Sequence, residues 1–236
     1  MHRGGFDGDG IPPLTLTREL VGRLPGRVDG DAPHPVPRPG EAYFERTAAA
    51  ILAAKRPNAP LWVFAIGSLI WNPRFEVGEA RPAFVKGWHR SFCLGPTLWR
   101  RGNPEAPGRM LSLDRGGECW GIALRMASAD PAAALTALLK TEPPVPPTWV
   151  VAETGDGPVD AIAFTADADY PLYSQEPHED ELADILARAV GSVGTMAEYI
   201  LNTVEELERA GVYDPHLWRI QALVAERLLA MGDRPA

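Results

Sequence analysis

Cysteine is almost absent from this chain. Cys93 and Cys119 are the only two in 236 residues, too few for a disulfide framework or a cysteine-rich metal site. Lysine is scarce as well, confined to Lys55, Lys86 and Lys140. With 23 basic against 31 acidic residues the formal net charge is −8. Attraction to nucleic-acid phosphates needs clustered Lys and Arg, so nucleic acid is not an expected partner. Long apolar runs are missing too. Runs such as Leu61 to Ile66 fall far short of the roughly 18 residues a membrane span needs, so no membrane partner is expected. Met1 to Gly10 carries no apolar stretch of the signal-peptide kind, which points to the cytoplasm. The five histidines, His2, His34, His89, His178 and His216, show no paired metal-ligand spacing, and no metal site is expected.

What is present is ordinary globular material: 45% hydrophobic and 23% charged residues, enough for a full core. The 23 glycines and 24 prolines predict many turns and short elements. Residues 1–40 read as a Pro/Gly-rich N-terminal extension, partly disordered, because Pro25, Pro33, Pro35, Pro37 and Pro39 forbid a helix or ladder. One short helix at Thr15 to Leu24 interrupts it. Residues 41–236 read as a single domain.

Within that domain the Ala-rich stretch from Tyr43 to Lys55 predicts a helix ended by Pro57 and Pro60. Leu61 to Ile66 predicts a buried strand stopped by Gly67-Ser68. Ala83 to Cys93 predicts a second strand, with a break at Gly87, and Met110 to Leu113 a short third one. Gly116-Gly117 reads as a hairpin signal before the alternating strand from Cys119 to Met126. Asp130-Pro131 predicts an N-cap with proline at the first helical position, opening a helix to about Lys140. Thr148 to Glu153 and Asp160 to Thr165 predict a strand pair across Gly155-Asp156-Gly157. Leu182, Ile185, Leu186 and Ala189 form one helical stripe. Thr195 with Glu198 reads as a capping box, Gly211 as a C′ residue, and Asp214-Pro215 as the start of a last helix. Strands first and helices last argue for an α+β fold with a largely antiparallel sheet or small barrel.

Few side chains stand out as chemical. In Ile66-Gly67-Ser68-Leu69-Ile70-Trp71-Asn72-Pro73 a strand runs into a Gly-Ser turn, where freed N–H groups can hold a carboxylate or a developing oxyanion. The same residues also read simply as a strand ending in a turn. Ser68 lacks the G-x-S-x-G elbow and an evident histidine partner, which argues against a nucleophile. His89 and Cys93, four apart on a strand, lie about 13 Å apart at ~3.3 Å per residue and cannot share a proton. The cysteines read as two buried small thiols. Glu142 follows a predicted helix and precedes Pro143-Pro144-Val145-Pro146-Pro147. A carboxylate at the unfavourable end of a helix dipole, on a stiff loop, is suited to act as a base, or is an exposed loop residue. Glu176, Glu179, Asp180 and Glu181 read as first-turn acids of a helix. Arg100-Arg101-Gly102 and Arg109 are candidate anion contacts or solvated loop arginines. Five tryptophans, Trp62, Trp71, Trp88, Trp99 and Trp120, read as core.

Taken together, the string Val63-Phe64-Ala65-Ile66-Gly67-Ser68-Leu69-Ile70-Trp71-Asn72-Pro73 and the ordered series after it resemble the ChaC family of γ-glutamylcyclotransferases. That series comprises Val85-Lys86-Gly87-Trp88-His89-Arg90-Ser91-Phe92, Arg101-Gly102, Pro107-Gly108-Arg109, Leu111-Ser112-Leu113-Asp114, Trp120-Gly121-Ile122-Ala123 and Asn202-Thr203-Val204 with Leu207 and Gly211. The likeness spans roughly residues 61–225. It implies a mixed barrel or sheet with flanking helices and a helical C-terminal third. It implies an enzyme that cleaves the γ-glutamyl amide of glutathione, or of a related compound, to 5-oxoproline and the free amine. The small-molecule substrate supplies its own nucleophile, so no metal or organic cofactor is implied. Glu142 takes the acid/base role. Ile66, Gly67, Ser68, Leu69 and Ile70 form the substrate loop, with Arg101 and Tyr173 as further substrate contacts. Three positions depart from the family pattern. Ile66 stands where a tyrosine is usual, Thr141 where an arginine precedes the glutamate, and prolines follow Glu142 in place of a glycine and a tyrosine. A relative that binds γ-glutamyl compounds or a protein partner without turnover is the alternative reading.

Overall fold

The computed structural model describes residues 11–30 and 32–232; the segment Met1 to Gly10, read above for a leader, lies outside them. In chain order the elements are α1 (Arg18–Val21), α2 (Glu41–Ala54), β1 (Trp62–Ala65), α3 (Ser68–Trp71), β2 (Val77–Thr97), β3 (Gly108–Met126) and α4 (Pro131–Leu139). Then follow β4 (Thr148–Thr154), β5 (Gly157–Ala163), α5 (Glu179–Arg188), β6 (Val190–Gly191), β7 (Gly194–Thr195), α6 (Met196–Arg209) and α7 (Pro215–Gly232). They form an α+β fold whose five longer strands close a barrel in the order β1-β3-β2-β4-β5.

The chain divides into two compact units. The barrel unit comprises Val36–Arg90 and Ser112–Tyr170. β1 pairs antiparallel with β3, Phe64 opposite Ala123, and parallel with β5, Phe64 opposite Ala163. β4 and β5 form the expected hairpin, in register from Thr148↔Ala163 to Thr154↔Gly157. Gly157 takes φ +103, a conformation that glycine adopts freely. Five strands leave little room inside. Alanines at 83, 123, 152, 161 and 163 therefore pack with Trp62 and Phe64 in the core. α4 starts as expected, with the Asp130 carboxylate accepting from the Ala133 N–H at 3.0 Å, and α2 packs against it.

Two expectations fail in β2 and β3. Gly87 does not break its strand. It takes φ +81, and β2 continues through it for 21 residues. Gly116 and Gly117 take φ +92 and +66 but do not turn the chain into a hairpin. β3 runs through them for 19 residues, as a strand does through glycine-built bulges. The expected short strand at Met110–Leu113 is the first part of that element. The Gly-Ser turn after β1 is itself a short helix, α3.

The helical unit comprises the N-terminal segment up to Pro35, Ser91–Leu111, and the chain from Pro171 on. α5, α6 and α7 pack on one another through the stripe that includes Leu182, Leu186, Ile200, Val204 and Leu207, all fully buried. Thr195 caps α6 by accepting from the Glu198 N–H at 3.0 Å, and Asp214 caps α7 through Leu217. Gly211 ends α6 with φ +68. The N-terminal segment is docked rather than loose at Pro12 to Leu20. Gln221, buried on α7, accepts from the Thr15 and Leu16 N–H groups, the Trp218 indole donates to Pro12 O at 2.9 Å, and Leu16 and Leu20 are buried.

Candidate active site

Two of the sequence-derived site elements lie in the barrel unit. The first is the turn that ends β1. Gly67 is the N-cap of α3, and the Ile70 N–H donates back to Gly67 O at 2.9 Å. The N–H groups of Ser68 and Leu69, at the head of so short a helix, have no intrahelical acceptor. Leu69 is buried, and Ile66 packs against the barrel core together with Trp88. Two features hold this strand end in place. Arg90, itself buried, donates from Nε to Ile66 O at 3.0 Å and from Nη2 to Trp120 O at 2.8 Å. Gly121 lets β3 approach closely, since a Cβ there would meet Ala65 O at 2.6 Å and the Phe64 ring at 2.8 Å. Arg90 was not singled out from the sequence, although it stands inside the Gly87-Trp88-His89-Arg90 string. A buried strand arginine is the signal that marks it.

The second element is the loop after α4 that carries Glu142, which is half-buried. Thr141 folds back over the helix end, its N–H and hydroxyl both reaching Leu138 O, at 2.9 and 2.8 Å. Its hydroxyl lies 3.5 Å from Glu142 Oε1. The loop is also met from the chain before α2 and from α2 itself. Arg38 Nη2 donates to Lys140 O at 2.6 Å and to Glu142 O at 3.2 Å. Tyr43 donates to Pro144 O at 3.1 Å, and Glu41 pairs with Lys140 at 2.5 Å.

Tyr170 belongs to the same unit. It is buried, and among the described residues its hydroxyl meets no hydrogen-bond partner. Burial pushes its pKa up, against the opposing charge of Arg38. Removing an unpaired buried hydroxyl relieves a desolvation cost. Tyr170→Phe is therefore expected to melt at the wild-type temperature or slightly above it in a thermal denaturation. A loss of more than about 1 kcal/mol would instead reveal a bonded hydroxyl.

Arg101 and Tyr173 lie in the helical unit. Arg101 Nη1 donates to Glu198 Oε2 at 2.8 Å and to Thr195 O at 2.6 Å, and the guanidinium sits over the Tyr199 ring. These bonds tie the Arg100–Asn103 loop to the start of α6. Tyr173 forms a bridge with Leu94, flanked by Gly95 N–H to Leu172 O at 2.8 Å and Ser174 N–H to Cys93 O at 2.9 Å. Arg109, one of the candidate anion contacts, donates to the Ser174 hydroxyl at 2.7 Å. Cys93 and Cys119 are both buried thiols.

Glu176 corrects the reading of the acidic run as one capping group. Glu179, Asp180 and Glu181 do lie in the first turn of α5. Glu176 stands before it, accepts from the Phe92 N–H, and faces His216 Nε2 across 2.9 Å, off the line of an ideal hydrogen bond. Burial opposes both charges. The pairing nevertheless outweighs it, holding the Glu176 pKa below and the His216 pKa above their ordinary values. The sign of the linkage follows. Glu176 contributes stability above the unfolded carboxyl pKa near 4.3 and loses it as pH falls through its lowered value. His216 contributes below the unfolded imidazole pKa near 6.5 and loses it as pH rises through its raised value. The melting temperature of the wild type is expected to fall more than that of His216→Gln between pH 6 and pH 9. Parallel curves for the two proteins across that window would show that the pair adds nothing.

A family model described as ChaC-like protein matches residues 61–227. A relative from Escherichia coli (strain K12), named glutathione-specific gamma-glutamylcyclotransferase, is 38% identical over 72% of this chain and 74% of its own length. A mouse relative, glutathione-specific gamma-glutamylcyclotransferase 1, is 32% identical over 66% of this chain and 74% of its own. In fold, the chain is similar to a crystal structure of the glutathione-specific cyclotransferase from yeast, with a TM-score of 0.60 at 18% identity, covering 72% of this chain and all of that one. With most of its length matched and its strand-end Gly67-Ser68-Leu69 turn in place, the chain belongs to the ChaC-like family.

Proposed function

We propose that this chain is a γ-glutamylcyclotransferase, a lyase of glutathione catabolism that converts glutathione to 5-oxoproline and Cys-Gly. Two features of the barrel unit support the reading: Glu142 stands on a loop whose carbonyls are bonded by Arg38 and Tyr43, and the leading N–H groups of the Gly67-Ser68-Leu69 turn lie outside the helix ladder. The relatives with most of their length in common with this chain are named for the same activity.

The chemistry needs no more equipment than this. The glutamyl α-amine is protonated in solution and cannot attack. Glu142 takes one proton from it, and the freed amine closes on the γ-carbonyl carbon. Negative charge gathers on the carbonyl oxygen, where the Ser68 and Leu69 N–H groups donate. The ring nitrogen gives up its second proton to solvent, the tetrahedral centre collapses, the bond to the cysteinyl nitrogen breaks as Glu142 returns its proton to that leaving amine, and the released amine takes up one further proton from solvent. One C–N bond forms and one breaks, with no net change of protonation on the enzyme. Holding amine and carbonyl together lowers the entropic part of the barrel-bound reaction. Ile66 and Ile70 are assigned to the substrate loop with Gly67, Ser68 and Leu69. Arg101, whose guanidinium is engaged by Glu198 and Thr195, is assigned a supporting role for the loop at 100–103.

Among the described residues no helix is long and apolar enough to cross a membrane, and we place the activity in the cytoplasm, where its substrate is abundant in reduced form. The test is incubation of the purified chain with millimolar glutathione, following 5-oxoproline and Cys-Gly by mass spectrometry. Stoichiometric appearance of both supports the reading; binding of glutathione with neither product replaces it with that of a binding protein.

A further inference from the structure

We infer that Arg38, which precedes the family-matched span of residues 61–227, is a positioning residue that holds the peptide of Glu142 for catalysis. The inference rests on the reading of Glu142 as the base.

The loop after α4 cannot organise itself. Pro143, Pro144, Pro146 and Pro147 offer no N–H, and beyond the Thr136 and Leu138 carbonyls, met by Lys140 and Thr141, the carbonyls here need partners from elsewhere. Only Val145 N–H to Pro143 O, at 2.8 Å, closes within the proline run. The loop is instead met by three side chains of the preceding chain. Arg38 covers Lys140 O and Glu142 O, Tyr43 covers Pro144 O, and Glu41 takes the Lys140 ammonium. Glu142 is the centre of the five residues so held. Thr141 beside it is uncharged and the Lys140 ammonium is taken by Glu41, so the cation that meets the loop's carbonyls is Arg38. A guanidinium at a helix C-terminus meets favourable dipole and carbonyl charge together. Because Arg38 bonds the Glu142 carbonyl and is itself exposed, removing it frees the direction of the carboxylate more than it weakens the fold.

Both bonds leave from one nitrogen, Nη2, an arrangement a lysine ammonium can reproduce. The experiment compares wild type, Arg38→Ala, Arg38→Lys and Glu142→Gln for kcat and KM on glutathione, melting temperature, and amide exchange of peptides covering residues 138–148. Arg38→Ala is expected to lower kcat about tenfold with KM within about twofold, to leave the melting temperature nearly unchanged, and to speed exchange at Thr141 and Val145. Arg38→Lys is expected to recover most of the lost kcat. Wild-type kcat or unchanged loop exchange in Arg38→Ala overturns the inference while the cyclotransferase stands. A loss of kcat that tracks a lowered melting temperature and is not recovered by lysine overturns it in favour of a purely structural contact. A wild type that makes no 5-oxoproline overturns the functional reading, and the catalytic role of Arg38 with it.

Discussion

Glu142→Gln is expected to lower 5-oxoproline formation by about 10²–10⁴-fold, the range that removal of a positioned acid/base group produces. Glutamine keeps the shape of the side chain and loses the ability to take a proton from the substrate ammonium or return it to the leaving amine. Both halves of the reaction fail together, so kcat falls while the KM for glutathione stays close to that of the wild type. The fold should barely respond. Glu142 is half-buried, and the bonds that hold its loop run to the carbonyls of Lys140, Glu142 and Pro144, which the substitution leaves in place. A change in stability within about 1 kcal/mol is expected. The measurement is steady-state kinetics beside a thermal melt. Wild-type turnover in the glutamine variant would remove Glu142 from the mechanism.

A large loss of stability is expected elsewhere, at Gly191 in β6. A Cβ on this residue would sit 2.3 Å from Arg100 O, 2.6 Å from Arg100 C and 2.7 Å from Gly102 N. All three are backbone atoms, so no side chain can swing aside. The surrounding bonds resist a backbone shift as well. Val193 N–H donates to Arg100 O at 2.8 Å, Val28 N–H to Gly191 O at 3.2 Å, and the Asn103 amide to Val190 O at 2.9 Å. Gly191→Ala must break several of these or distort them. A destabilisation of about 3 kcal/mol or more is expected, or roughly 10 °C in the melting temperature for a chain of this size. Gly155→Ala provides the control, since a Cβ there meets nothing within 4 Å and should melt like the wild type. Equal melting of the two alanine variants would mean that the close approach at Gly191 is not obligatory.

Local signals account for what the sequence made legible. The caps at Asp130, Thr195 and Asp214 act within three residues, and each was found where the residue type predicted. The β4–β5 hairpin follows from Gly155-Asp156-Gly157, and the helical stripes of α5 and α6 from their spacing. The Gly67-Ser68-Leu69 turn was legible as a strand end, but not as a helix. What escaped depends on partners far along the chain. The lengths of β2 and β3 are set by the barrel that their neighbours close, so Gly87, Gly116 and Gly117 lie within strands that isolated sequence reading ends. Glu176 resembles its acidic neighbours until Phe92 and His216 are placed beside it. Arg38 sits among prolines that read as linker, and its acceptors lie 102 and 104 residues away. Such a contact leaves no periodicity behind.

Because β2 and β3 each contribute to both compact units, neither unit is a contiguous piece of chain. That threading has a consequence for how the protein is made. β1 emerges from the ribosome with all four residues apolar and buried in the final structure, yet Trp62 must wait for Arg125 and then Ala161 to pair. Thr15 and Leu16 wait longer still, for Gln221. Domain-by-domain folding during synthesis, the usual protection for a long chain, is closed to this one. High sequence separation slows such pairing further. The barrel therefore cannot close until β5 is out of the exit tunnel. A fragment that stops before β5 should accumulate on chaperones or in inclusion bodies rather than as a smaller folded protein.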